Sequence, residues 1–132
     1  MIVTDGRVAQ FVADKCGLHT FYPPFTCMGI EKDGQIIAGV VFNCFTGNDI
    51  TVTVAGERGA FTRHFIREVG RYVFETNNCL RMSVTTEQPK VIDFATRLGA
   101  QTEGRKRNHF GIGRDATILG LLKQEWPKRL SI

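Results

Sequence analysis

Apolar residues recur along the chain at two different spacings. Val8, Phe11 and Val12, with Leu18 beyond them, keep helical spacing behind Thr4 and Asp5, either of which can cap a helix. A helix is therefore expected from about Gly6 to Cys16, with Gly17 as its stop. His19 to Pro24 is aromatic and ends in two prolines, which exclude helix and imply a looped connection. From Thr26 the pattern changes to that of strands. Two β-rich runs, about 26–32 and 35–45, meet at Asp33–Gly34, a hairpin signal. After Thr46–Gly47–Asn48 a third strand places Thr51 and Thr53 on one face and Val52 and Val54 on the other.

Helical spacing then returns. The turn Gly56–Glu57–Arg58–Gly59 leads into a helix of about Ala60 to Thr76. Phe61, Phe65, Val69 and Tyr72 or Val73 line one side of it, and Arg63, Arg67 and Arg71 another. Asn77–Asn78 ends that helix, residues 80–86 alternate as a strand, and Pro89 opens a helix that carries Val91, Ile92, Phe94, Ala95 and Leu98 up to Gly99. A polar, basic strand, a glycine turn at 111–115 and a last apolar strand running into a short helical tail complete the chain. This order predicts an α+β protein, a central mixed but mostly antiparallel sheet of about six strands flanked by helices, in one domain of residues 1–132. A parallel pair is expected between the third strand and the strand at 80–86. Ligands in such sheets favour the carboxyl ends of parallel strands, and the 56–63 turn stands at that end.

Composition changes this picture little. With 42% hydrophobic and 23% charged residues the chain reads as an ordinary globular protein. No apolar run approaches the roughly 20 residues of a membrane span, and the N-terminus lacks the apolar core of a secretion signal, so a cytoplasmic location is expected. The four cysteines, 16, 27, 44 and 79, form no CxxC pair and are expected as buried free thiols, and the three histidines share no metal-ligand spacing, so no metal is expected. The net charge of +4 favours anionic partners: nucleic acid, phosphorylated cofactors or acidic protein surfaces. The densest basic cluster, Arg105–Lys106–Arg107 with Asn108 and His109, is either a grip for such a partner or a solvated strand. Gly111-x-Gly113-x-x-Ala116 matches a relaxed dinucleotide fingerprint but precedes a strand rather than a helix, so it reads as a hairpin turn.

The chemistry concentrates at the turn after Val54. Gly56 and Gly59 permit a tight turn, the helix N-terminus directs N–H groups outwards, and Arg58, Thr62 and Arg63 add side-chain donors. That is an anion cradle or an ordinary strand-to-helix turn. Arg63 is singled out because a cation in a first helical turn opposes the helix dipole unless an anion arrives. For acid–base work the sequence offers Asp49, Glu57, Glu87 and Tyr72.

The hairpin MGIEKDGQIIAGVVF, the turn Arg58–Gly59–Ala60–Phe61–Thr62–Arg63 opening a helix, and the ending Gly113 to Trp126 together resemble the GNAT superfamily of N-acetyltransferases. They are similar in particular to its short members carried by bacteriophages and prophages. The resemblance covers about residues 25–126. It implies acetyl-CoA as co-substrate, without a metal, held by Val54, Ala55, Arg58, Gly59, Ala60, Phe61, Thr62 and Arg63, the last six at the pyrophosphate. It further implies direct attack by an acceptor amine in a ternary complex, with Val54 or Ala55 supplying the N–H to the oxyanion. Of the acid–base groups read from the residues, Asp49 and Glu87 are the candidate catalytic pair. Against the family pattern, Ala95 stands where a tyrosine often protonates the leaving thiolate and Gln88 where an asparagine is frequent. The partner implied is an amine acceptor, and a monomer or a homodimer is expected, with no membrane partner. The alternative is an inactive GNAT-fold protein that binds a host protein or nucleic acid through Arg105–Arg107 and the helix arginines Arg63, Arg67 and Arg71.

Overall fold

Pairing in the computed structural model, which describes residues 1–130, joins seven strands into one sheet of order β1-β2-β3-β4-β5-β7-β6. They are β1 (Ile2–Val3), β2 (Phe25–Lys32), β3 (Gln35–Asn43), β4 (Thr51–Gly56), β5 (Arg81–Thr86), β6 (Gln101–Gly111) and β7 (Arg114–Leu122). Three helices, α1 (Gly6–Lys15), α2 (Arg63–Arg71) and α3 (Pro89–Arg97), cover the faces. Only β4 and β5 run parallel; every other neighbouring pair is antiparallel. The seventh strand is β1, whose Ile2 and Val3 pair with Ile30 and Gly29. Two residues are too few to show an alternation, which is why the pattern announced about six strands.

One helix covers one face and two cover the other. Asp5 caps α1 by accepting the Arg7 N–H, and Val8, Ala9 and Val12 pack against Cys27, Val41 and Ala55. Gly29 and Gly39 face each other across the β2–β3 ladder beneath that helix. A Cβ at Gly29 would lie 2.7 Å from a Val8 methyl, and one at Gly39 2.8 Å from a Val12 methyl, so this glycine pair sets how closely α1 seats. On the other face Phe65, Val69, Val73 and Phe74 pack with Val91, Ile92, Ala95 and Leu98 over Val40, Phe42, Val52, Met82, Val84, Leu119 and Leu121.

The helix expected over 60–76 divides into two pieces. Thr62 is the cap, its Oγ1 accepting the Phe65 N–H at 3.1 Å, so Ala60 and Phe61 belong to the preceding turn. From Tyr72 to Thr76 the chain widens into a π-helical turn, closed by Asn77, whose N–H and Nδ2 both donate to the Tyr72 carbonyl at 3.0 and 2.9 Å. The strand expected to reach residue 45 ends at Asn43, because Cys44 adopts a left-handed φ of 53°. All four cysteines are free, but only Cys27 and Cys79 are buried; Cys16 is half-buried and Cys44 exposed. Among the described residues no helix is long and apolar enough to cross a membrane, and no group of three or more His, Cys, Asp or Glu could hold a metal ion.

Candidate active site

The parallel ladder between β4 and β5 is short. It pairs Thr51 with Ser83 and Val52 with Val84, and then the two strands part. Which backbone groups face the gap follows from alternation along β4. Ser83 N–H donates to the Ile50 carbonyl at 2.9 Å, so Ile50 and its alternates Val52, Val54 and Gly56 turn towards β5. Glu57 N–H donates to the Ile37 carbonyl at 2.8 Å, so Glu57 and its alternate Ala55 turn towards β3. Of the two residues proposed to supply an N–H, Val54 has its backbone on the open side and Ala55 has not.

The gap continues into a cleft of about 300 Å³. Val54, Ala55, Gly56, Glu57, Arg58, Gly59 and Phe61 form one wall, and Gln88, Lys90, Val91, Asp93, Phe94 and Arg97 of α3 and its approach form the other. Gly59, with φ of 78°, and the Ala60 N–H bonded to the Glu57 carbonyl at 3.0 Å shape the turn. Ala60 is buried behind it, Thr62 caps α2, and Arg63 is the first residue of that helix. The Phe61 ring lies 5.9 Å from that of Phe65 and 5.8 Å from that of Phe94, so it is the apolar floor between turn and α3. A Cβ at Gly56 would lie 2.5 Å from the same ring, which ties the end of β4 to that floor.

On the α1 side of the gap stand residues that the sequence pattern did not single out. The Cys16 thiol, at the C-cap of α1, lies 4.0 Å from the Val54 carbonyl and 3.6 Å from Gln88 Nε2. Burial raises its pKa, so it carries its proton at neutral pH. Beside it Arg114, at the start of β7, clamps Glu87 through two hydrogen bonds, that from Nε at 3.2 Å. Those bonds hold the Glu87 carboxyl below its ordinary range. Cys16 could have been found in the sequence only by knowing that α1 ends against β4, a contact between residues 38 apart.

The remaining candidates are spread out. Asp49 lies at the opposite, amino end of β4, accepting from Ser83 Oγ at 2.9 Å and 3.5 Å from Arg81, which in turn pairs with Glu103 at 2.5 Å. Seven residues of extended chain, on the order of 20 Å, separate it from the turn, so it does not meet Glu87. Glu57 is on the cleft wall. Tyr72 Oη bonds Thr26 Oγ1 at 2.7 Å, and both tyrosines of the chain, Tyr22 and Tyr72, line a groove near Phe45 and Ile50, away from the cleft. Ala95 offers no hydroxyl in their place. Arg67 and Arg71 lie farther along α2, and Arg71 pairs with Glu68 and Glu75.

The fold has counterparts among solved structures. A probable acetyltransferase aligns with TM-score 0.66 at 19% identity over 77% of this chain, which spans 63% of that protein's length. A mutant form of spermidine N-acetyltransferase SpeG from Vibrio cholerae aligns with TM-score 0.72 at 12% identity, covering 97% of both chains. The fold is that of the GNAT acetyltransferases. A dodecameric structure of the same spermidine N-acetyltransferase shares the GNAT fold with this chain at TM-score 0.65 and 16% identity, over 80% of this chain and 68% of its own. No protein-family model matches the sequence, and no curated protein does. Within the GNAT fold of this chain the end of β4, the turn up to Phe61 and α3 with its approach line one cleft.

Proposed function

We propose that this chain is an acetyl-CoA-dependent N-acetyltransferase. The observation that carries the reading is the two-residue β4–β5 ladder, beyond which backbone donors and acceptors of Val54 and Gly56 face an opening that leads to a glycine turn and a capped helix start. Amide groups of a pantetheine chain complement such a strand edge, and the Arg58–Arg63 turn suits the pyrophosphate. The acceptor nitrogen attacks the thioester carbonyl, a C–N bond forms, and the C–S bond breaks with its electron pair on sulfur. The Val54 N–H stabilises the oxyanion between those steps. In place of the absent tyrosine, the protonated Cys16 thiol donates to the departing thiolate. Glu87, ionised because Arg114 holds it, attracts the ammonium form of the acceptor, which loses one proton to solvent before it attacks; the second proton, shed by the nitrogen as the C–N bond forms, passes through Glu87 and water to refill Cys16. Asp49 acts through Ser83, bracing β4 and β5 where they still pair. Titration calorimetry with acetyl-CoA and CoA tests the reading: micromolar binding is expected, and no heat at millimolar ligand overturns it.

A further inference from the structure

The β6–β7 hairpin outruns the sheet that carries it. The last pair of β5 with β7 is Thr86 with Thr117, so residues 106–116 continue past the end of β5 as a hairpin ribbon that pairs Lys106 with Ala116 and Gly111 with Arg114 and bulges on the β6 strand between those pairs. Three residues of β7 carry it on the order of 10 Å beyond the sheet. The pair nearest its tip, Gly111 with Arg114, is tied back to the body by the Arg114–Glu87 clamp, at the same end as the cleft. The ribbon is also braced internally: Asn108, left-handed at φ 57°, donates its N–H to Asp115 Oδ1 at 2.9 Å and accepts the Gly113 N–H at 2.8 Å. The acids nearby are already engaged, Asp115 with Arg105 at 3.5 Å, Glu103 with Arg81 and Glu87 with Arg114. Among the described residues Lys106, the last regularly paired residue before the bulge, and Arg107, the first within it, have no ion-pair partner, and both are exposed. At the tip, between Gly111 and Gly113, Ile112 is 97% exposed.

We infer that this ribbon is a grip for duplex DNA, and that it presents the acceptor amine to the cleft on that polymer. A two-stranded ribbon fits a groove of the duplex. Two adjacent exposed cations without acidic partners answer groove phosphates, and an exposed aliphatic tip is the wedge by which such ribbons part stacked bases. A second copy of the chain is a poor occupant, because pairing β6 edge to edge around its middle sets Arg105, Lys106 and Arg107 against themselves. An extended acidic peptide would engage the edge and one face, leaving the tip idle. The second half of the inference rests on the proposed acetyl transfer; the grip itself does not.

The test is fluorescence anisotropy of the full chain with a labelled 30-base-pair DNA duplex over a range of salt. Each phosphate contact contributes about 0.9 to the slope of log K against log salt, so Lys106→Ala with Arg107→Ala should lower that slope by about 1.8. Ile112→Ser should weaken binding about tenfold with the slope unchanged. Lys32→Ala with Lys128→Ala removes the same charge from other surfaces and should do neither. Absence of binding at low salt, equal effects from the two charge pairs, or displacement of the duplex by polyglutamate at equal charge would each overturn the inference. Calorimetry with CoA on the same preparation keeps the two proposals apart: CoA binding without DNA binding rejects the grip, and DNA binding without CoA binding rejects acetyl transfer and with it the presentation of an acceptor, leaving the grip.

Discussion

Replacing Gly70 by alanine sets two effects of opposite sign against each other. In a helix interior alanine is favoured over glycine by about 1 kcal/mol, and that alone would make Gly70→Ala stabilising. Gly70, however, is buried against Trp126: an added Cβ would lie 2.8 Å from the indole Nε1 and nearer still to Cε2 and Cζ2. The ring has little room to retreat, being 7% exposed and packed 5.7 Å from Phe74. Overpacking a close-fitted core costs about 1–3 kcal/mol, and contact with rigid ring atoms places this site in the upper part of that range. The net expectation is destabilisation by about 1–2 kcal/mol. Urea unfolding reads it directly, because Trp126 is the sole tryptophan and reports by fluorescence. In a Trp126→Leu background, followed by circular dichroism, the obstacle is gone and the same glycine-to-alanine change should become stabilising. A higher midpoint for Gly70→Ala with Trp126 intact would refute the reasoning.

Three further outcomes are expected. Arg63→Glu should weaken CoA binding at least tenfold, about 1.4 kcal/mol, while Arg71→Glu, two turns away and paired with Glu68 and Glu75, should leave it within twofold by calorimetry. Cys16→Ala should lower kcat while sparing the CoA dissociation constant; equal turnover in a thiol-release assay would remove Cys16 from the reaction. Hydrogen bonds from Arg7 hold Asp5 at about 2, and Arg114 lowers Glu87. Depressed carboxyl pKa values stabilise the fold above the unfolded-state values near 4 and cease to do so as pH falls through the folded ones. The urea midpoint should therefore be level near neutrality and fall below about pH 4, less steeply in Asp5→Asn with Glu87→Gln; an unchanged acid limb would count against both pairs.

Periodicity carried the element order well, because each helix and most strands bury one face. Val8 and Val12, Phe65 and Val69, and the alternation across Thr51–Val54 are local statements of that burial. The parallel β4–β5 pair followed from the order of elements alone. What escaped was set by contacts far apart in sequence or by single hydrogen bonds. Thr62 captured the cap of α2 from the glycine turn through one bond to Phe65. Asn77 widened the end of that helix by bonding back to Tyr72. Asp49 and Glu87 are both carboxylates near strand ends, and only the direction of β4 and β5 reveals that these are different ends. Cys16 and Arg114 come from the two extremes of the chain to meet Gln88 and Glu87 beside the cleft, and no spacing rule relates residue 16 to residue 114.

The short ladder between β4 and β5 also bears on how freely this protein can vary. The groups that Val54 and Gly56 offer to the gap belong to the main chain, and almost every substitution leaves a peptide N–H and carbonyl where they were. Recognition written in that way is indifferent to the alphabet of side chains; proline alone erases a letter, by removing the N–H. The α1 side and the ribbon carry their chemistry in side chains such as Cys16, Glu87 and Arg107. A lineage built on this scaffold could thus exchange its acceptor by point mutation while its grasp of the donor persisted, with the strand's own backbone as the unchanging half of the site.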